Sequence, residues 1–537
     1  MPSIKRIALI DNRPSINFLF LSIVLLFSVT RLIHLTILPI FTDEAVYIRW
    51  SKMINEDFSN IWIPILIDNK KPLLMWLIAI FLDIFENPLW AARFVSVIAG
   101  FLSLIGIYLI GNKIHSVQVG CLAALLYTLC PYYLFYDRMA HQAGLLNCFF
   151  IWLIWLTLEI FEKDDKKKAG YYWSSGIAIG LSLLTKATAI LFVFLPLILK
   201  LVYLRKSTFV PWKSLLQAYL LGFLIVGFPY GVLYFTSPDF SVKNIFIPAM
   251  HSESQTSTLD ILFRIPARIL SSIDIPFDYF TTYLTIPVLF IAIAFFFFHF
   301  KNLNQRYVIL VFYFLIPYFL LVGTAGVGFS RYYLFCGTPI LLWASLALYY
   351  CVDFINKRIP KKSLYLTITP IVITTFYPAI AFDIKLLTEP SKTPFISRDY
   401  DQYVSGRFSG YGMPEALNYF KKVSSNKKIT IFTTPNWGNP ADSVHVYLSD
   451  YPNITVYTAL WVFEHVLLPS DASKIVAKNK YKKNFEFHVS SLSDVYFICN
   501  SLDFERNIFL KKNKGFQLVS SFQKPNSNIF TDIYKRI

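Results

Sequence analysis

Phe41-Thr42-Asp43-Glu44-Ala45-Val46-Tyr47, followed further on by Lys70-Lys71-Pro72-Leu73-Leu74-Met75-Trp76-Leu77, sets adjacent acids and adjacent bases on one segment between two apolar runs. Runs of about 17 to 25 apolar residues are long enough to cross a hydrocarbon core as helices. One run ends near residue 37 and the next begins near 91, so the charged stretch between them is a loop at a membrane surface. Ionisable groups kept at that boundary point to a task.

The rest of the chain supports that reading. Its 537 residues are 55% hydrophobic, 18% aromatic and only 15% charged, more apolar than a soluble core can bury. The expected fold class is an α-helical polytopic membrane protein of about eleven transmembrane helices. The spans are read at roughly 16–37, 91–112, 117–135, 142–161, 171–185, 187–204, 214–235, 281–300, 307–323, 332–352 and 363–382. The first run follows Lys5, Arg6 and Arg13 and is too long for a signal-peptide core, so it is expected to stay as an anchor. Residues 171–205 form one apolar run interrupted by Lys186, and two spans with an interfacial turn at the lysine spare it the bilayer centre.

Short loops rich in Lys and Arg are retained on the cytoplasmic side, and every second loop here is basic. Lys5, Arg6 and Arg13 belong to that set, with Lys113, Lys163, Lys166 to Lys168, Arg205, Lys206, Lys213, Lys301, Arg306, Lys357, Arg358, Lys361 and Lys362. The first loop (38–90), the long loop 236–280 and the C-terminal region therefore face outward. The net charge of +17 is mostly topological, and its scatter over many loops argues against a nucleic-acid partner.

From about residue 384 the composition turns polar and Lys-rich. Alternation at Lys428–Thr433, Asn453–Ala459, Asp494–Cys499 and Gly515–Ser520, with helical periodicity at Pro414–Val423 and Ala441–Leu448, predicts a small extracytoplasmic α/β domain. The expected organisation is a membrane domain over 1–383, with its first outer loop at 38–90, and the α/β domain over 384–537. Five of the six cysteines lie in spans and Cys499 in the domain, so neither a disulfide framework nor a zinc pattern is expected.

Asp43, Tyr47, Trp50 and Ile54 recur at i, i+4, i+7 and i+11, one stripe of a helix lying on the membrane surface. The plain reading is a helix start, with Thr42 as cap and Asp43 and Glu44 complementing the dipole. Lys70 and Lys71 precede a second surface helix running to Phe85. Their plain reading is snorkelling toward anionic headgroups, and their functional one is a phosphate. Arg93, Asp137-Arg138, Lys186 and Arg331 also fall at outward ends of spans, against the charge bias, and such bases suit an anion at the outer face.

With these residues in place the chain resembles the polyprenyl-phosphate-sugar-dependent glycosyltransferases of the GT-C fold, in particular the protein O-mannosyltransferase and aminoarabinose transferase group. The resemblance rests on Asp43-Glu44 with Tyr47, Lys71-Pro72 with Trp76-Leu77, Trp90-Ala91-Ala92-Arg93-Phe94 with Gly100, and Asp137-Arg138-Met139. It continues through Gly176 to Lys186 and Arg331-Tyr332-Tyr333 leading to Pro339. It covers about residues 15–350 in order.

The resemblance implies an inverting glycosyl transfer at the outer membrane face, from an undecaprenyl- or dolichyl-phosphate sugar to an acceptor hydroxyl. Asp43 would be the catalytic base and Glu44 would assist or orient it. Lys71, Arg138 and Arg331, with Lys70 and Lys186, would hold the donor phosphate and stabilise the charge that develops on it. Tyr47, Arg93, His251 and Glu253 are further substrate-binding candidates. Acceptors of three kinds fit: protein, lipid or polysaccharide. The family motif often reads Lys-Pro-Pro, whereas Leu73 follows Pro72 here, and Lys70 stands where some members have an acid. No cofactor or metal ligand set is assigned. Lys70 in place of that acid argues against a metal shared with it; a divalent metal elsewhere stays open, and His251 and Glu253, a pair more often found as solvated loop, could bind one or contact the acceptor. Trp437 suits either sugar stacking or, more simply, the anchoring of a turn. The competing classes are a transporter or flippase, which would favour paired halves and mid-span charges, and a scaffold displaying the C-terminal domain.

Overall fold

The computed structural model describes residues 14–162, 168–202, 210–237, 258–299, 304–325, 328–358, 360–434, 436–458, 494–503 and 506–537. They fall into two compact units: Met1–Leu35, Ser59–Leu77 and Arg93–Glu389 in one, Thr36–Phe58, Ile78–Ala92 and Pro390–Ile537 in the other. The first outer loop, expected with the membrane domain, is thus divided between the two.

The first unit is helical, and each of the eleven expected spans coincides with helix. Among the described residues seven helices are long and apolar enough to cross a membrane: Pro88–Ile114, Gln142–Phe161, Trp212–Thr236, Ile275–Phe298, Gln305–Thr324, Ser330–Arg358 and Leu366–Thr388. The pair Val117–Leu129 and Pro131–Asp137, bent by 65°, makes an eighth if it counts as one span. Pro131 supplies no N–H to the preceding turn and Cys130 is extended, which produces that bend. The other three expected spans correspond to helices whose described residues are Pro14–Leu32, Ala169–Thr185 and Ala187–Val202. As expected, the helix breaks at Lys186, which is extended (φ −159°, ψ 141°).

Part of the sequence motif here is packing. A Cβ on Gly176 would lie 2.6 Å from the Ala218 carbonyl oxygen, one on Gly180 2.6 Å from the Ile225 Cβ, and one on Gly222 2.7 Å from Ile179. Gly176 and Gly180 are four apart on one helix and Gly222 lies on the facing one, so the two backbones approach as small residues allow in a membrane.

The second unit is built on a mixed five-stranded sheet: β1 (Ile429–Thr433), β2 (Ile454–Thr458), β3 (Val495–Asn500), β4 (Phe516–Gln523) and β5 (Phe530–Arg536). The order is β2-β1-β3-β5-β4, parallel across the first three and antiparallel at β3–β5 and β5–β4. Helix Met413–Ser424 buries Met413, Ala416, Leu417 and Phe420 against Ile429, Ile431 and Ile498. Four strands match the expected alternation. β5 does not show it, because Thr531 and Asp532 are buried on a strand that reads as polar. Asp532 is reconciled with burial by Arg506, whose Nε and Nη2 donate to its two oxygens at 2.7 Å each.

Helix Thr42–Glu56 belongs to this unit and packs on helix Ala441–Leu448. The predicted stripe is its buried face, with Tyr47 at 2%, Trp50 at 4% and Ile54 at 5% exposure. The second surface helix is shorter than expected, ending at Phe81.

Candidate active site

In the membrane unit, helix Pro14–Leu32 ends in carbonyls that no further turn satisfies. Arg138 meets them: Nη1 donates to the carbonyls of Thr30 (2.9 Å), Arg31 (2.9 Å) and Ile33 (2.8 Å), and Nη2 to that of His34 (2.8 Å). Arg93 does the same one residue on, with Nη1 2.8 Å from the Leu35 carbonyl. Cations at a helix C-terminus also oppose its dipole. Arg31, fully buried, pairs with Asp137 at 3.3 Å and donates to the Thr128 and Tyr127 carbonyls. The Tyr127 hydroxyl takes the other Asp137 oxygen at 3.0 Å. A Cβ on Gly100 would stand 2.5 Å from the Asp137 carboxyl carbon, which is why that motif position holds glycine. The motif residues Arg93, Gly100, Asp137 and Arg138 thus form one clamp on residues 30–35. Arg138, expected on the donor phosphate, has both terminal nitrogens committed to backbone.

Lys71 is placed differently. Its Nζ donates to the Tyr230 hydroxyl at 2.5 Å and lies 4.6 Å from that ring's centroid, while its carbonyl accepts from Gln142 Nε2 at 3.0 Å. Burial pushes its ammonium down to about 8. Neighbouring Lys70 is paired with Asp68 at 3.2 Å. Trp76 of the same motif donates from Nε1 to the Ile61 carbonyl (2.9 Å), fixing the turn before the lysines.

Lys186 and Arg331, far apart in sequence, meet on one ring. Lys186 Nζ stands 4.3 Å and the Arg331 guanidinium 5.7 Å from the Tyr332 centroid, and Arg331 also covers Phe329 at 4.4 Å. Tyr136 positions this segment through a 2.7 Å bond to the Ser330 hydroxyl, and the Tyr132 hydroxyl donates to the Ser330 carbonyl. Cation–π contact attracts a positive group without itself neutralising it.

The acids lie in the second unit. Asp43 is half-buried in the first turn of helix Thr42–Glu56. Glu44 is fully buried and accepts the Phe41 N–H at 2.9 Å, so the helix start is held from its third residue. Thr42, expected as the cap, lies inside the helix and donates its hydroxyl to the Phe408 carbonyl at 2.9 Å. Trp437 meets Trp50 edge to face at 5.4 Å and is otherwise half exposed. His251 and Glu253 lie outside the described residues. Among the described residues no three His, Cys, Asp or Glu side chains gather where a metal ion would be held.

Arg31, Tyr230 and Asn439 were not singled out from the sequence. Arg31 carried a usable signal, being a base at the outward end of a span, like Arg93 and Arg331. Tyr230 and Asn439 carried none.

Residues 69–230 match the model of the dolichyl-phosphate-mannose-protein mannosyltransferase family. No curated protein sequence matches the chain. Among solved structures it is similar to ArnT from Cupriavidus metallidurans bound to undecaprenyl phosphate, with a TM-score of 0.65 at 11% identity over 97% of this chain and 98% of that one. It is similar to the Archaeoglobus fulgidus oligosaccharyltransferase in complex with Zn and sulfate, at TM-score 0.54, 14% identity, 96% of this chain and 74% of that one. A third likeness is to AglB of the same organism with an inhibitory peptide and a dolichol-phosphate, at TM-score 0.51 and 12% identity over 90% and 69%. The likeness over nearly the whole chain shows the fold: it is the GT-C fold, as the motifs indicated.

Proposed function

We propose that this GT-C-fold chain is a membrane glycosyltransferase that moves a sugar from a polyprenyl-phosphate donor to an acceptor hydroxyl, with inversion at the anomeric carbon. Asp43 takes the proton of the acceptor O–H as that oxygen attacks the anomeric carbon. The bond from that carbon to the phosphate oxygen breaks, and its electron pair leaves with the polyprenyl phosphate. Lys71, Lys186 and Arg331 bind the donor phosphate and stabilise the charge it gains. Arg93 and Arg138 hold residues 30–35, and Glu44 holds the turn on which Asp43 sits. The reaction lies on the side opposite the basic loops.

The observation that carries this reading is the gathering of Lys186 and Arg331 on Tyr332, in a chain whose fold is shared with a protein crystallised on undecaprenyl phosphate. Asp43→Asn tests it. Transfer should be abolished, with expression and donor binding retained; full activity in that variant would remove Asp43 from the role of base.

A further inference from the structure

The second unit holds the turn that carries Asp43 through a relay that starts at a buried lysine. Lys524, just after β4, is 2% exposed, and its Nζ donates to the carbonyls of Gly406 (3.0 Å), Arg407 (3.1 Å) and Ser409 (2.8 Å). A protonated amine has three N–H groups, and three acceptors are present. Burying an ammonium and ordering a long side chain is costly, so a lysine kept here imposes a specific loop shape.

The carbonyl left out of that set, Phe408, serves the other side of the loop. It accepts from the Thr42 N–H (3.2 Å), the Thr42 hydroxyl (2.9 Å) and Asn439 Nδ2 (3.3 Å). Asn439 Nδ2 also donates to the Ile40 carbonyl at 2.9 Å. The loop then passes backbone against backbone, since a Cβ on Gly410 would fall 2.1 Å from the Ile40 oxygen. Gly438 (φ +88°) packs on the Thr42 side chain, and its N–H bonds Asp442, which in turn pairs with Arg49 of the Asp43 helix at 2.7 Å. Residues 40–42, immediately before Asp43, are thereby fixed from the loop at 406–410 and the turn at 438–439.

We propose that Lys524 is a positioning residue: it sets the 406–409 loop so that the Phe408 carbonyl fixes the helix start from which Asp43 acts. This rests on Asp43 being the base. A purely structural lysine would stabilise the C-terminal segment without any selective effect on the first loop.

The test compares full-length wild type, Lys524→Met, Thr42→Val and the double variant. Burial pushes the Lys524 ammonium down to about 7, against the opposing pull of Asp503 and Asp401, so work at about pH 6 keeps it protonated. Hydrogen exchange read by mass spectrometry should be faster at residues 40–45 in Lys524→Met and unchanged in β1 and β3. The turnover number should fall about tenfold, with donor KM within about twofold, the scale of one or two lost hydrogen bonds. The double variant should lose little more than either single one, because both break one relay. Exchange changes confined to residues 400–410, or losses that multiply in the double variant, would overturn the proposal. Should Lys524→Met not fold, Thr42→Val reads the link from its other end: faster exchange at 406–410 supports it and unchanged exchange there refutes it. The exchange readout needs no catalysis, so full activity in Asp43→Asn would fail the assignment of the base without touching the relay.

Discussion

The basic residues of the membrane unit that run against the loop-charge bias divide into two groups by what they touch. Arg93 and Arg138 meet backbone carbonyls at the end of helix Pro14–Leu32, and Arg31 meets a carboxylate. Lys71, Lys186 and Arg331 lie instead against the rings of Tyr230, Tyr332 and Phe329. An arginine whose terminal nitrogens are taken up by carbonyls has become part of the scaffold. A ring face attracts a cation without itself neutralising it. Residues that look equivalent in the sequence therefore differ in their contacts, one set forming the clamp and the other being the binding group proposed above.

Breaking the clamp should cost most. Arg31→Met leaves the buried Asp137 without its cation, and the expected destabilisation is about 3–5 kcal/mol, read as a lowered melting temperature in detergent. The binding group should behave in the opposite way. Lys71→Met or Arg331→Met should reduce transfer by roughly 10²–10³-fold with the melting temperature held, the scale of losing one preorganised charge-stabilising group. Arg138→Met sharpens the division: it should destabilise by about 1–3 kcal/mol through the orphaned carbonyls, with donor KM unchanged. A raised donor KM without loss of stability would move Arg138 back to the phosphate.

The pH dependence follows from Lys71. Burial lowers its ammonium to about 8, so the cationic form that attracts phosphate is lost as pH rises through that value. Donor KM should be flat below about pH 8 and rise above it, and in Lys71→Met that rise should disappear. The smallest effect is expected of Tyr230→Phe, which removes one neutral hydrogen-bond partner and should change donor KM no more than about fivefold.

Much of the fold was legible. Long apolar runs located the helices of the expected spans but not Thr258–Ser272, which lies in the stretch read as a long outer loop, and sequence alternation located β1 to β4 although β1 and β3 are buried at every position. β5 was hidden because its buried positions carry Thr531 and Asp532, acceptable only through Arg506 and hence through a contact that local pattern does not encode. Against about eleven expected spans, seven helices among the described residues, or eight with the bent pair, are long and apolar enough to cross a membrane, and the helices on both sides of Lys186 are shorter. At the site, the candidate cations stood out by running against the charge bias, but not what each would touch. Arg138 and Lys524 are both defined by backbone carbonyls, and a carbonyl has no letter in the sequence. The same holds for Thr42, whose hydroxyl looked like a helix cap and instead reaches Phe408, 366 residues away in sequence.

The central claim is that the cations on aromatic rings hold a polyprenyl phosphate while Asp43 activates the acceptor. Its most direct test is donor turnover by the purified protein in detergent with a panel of polyprenyl-phosphate sugars, run side by side for wild type, Asp43→Asn and Lys71→Met. The account predicts release of polyprenyl phosphate from at least one donor by wild type alone, with Asp43→Asn still binding that donor and Lys71→Met binding it poorly. No turnover of any donor by wild type, together with saturable movement of a lipid-linked solute across liposomes, would contradict it and make the chain a transporter.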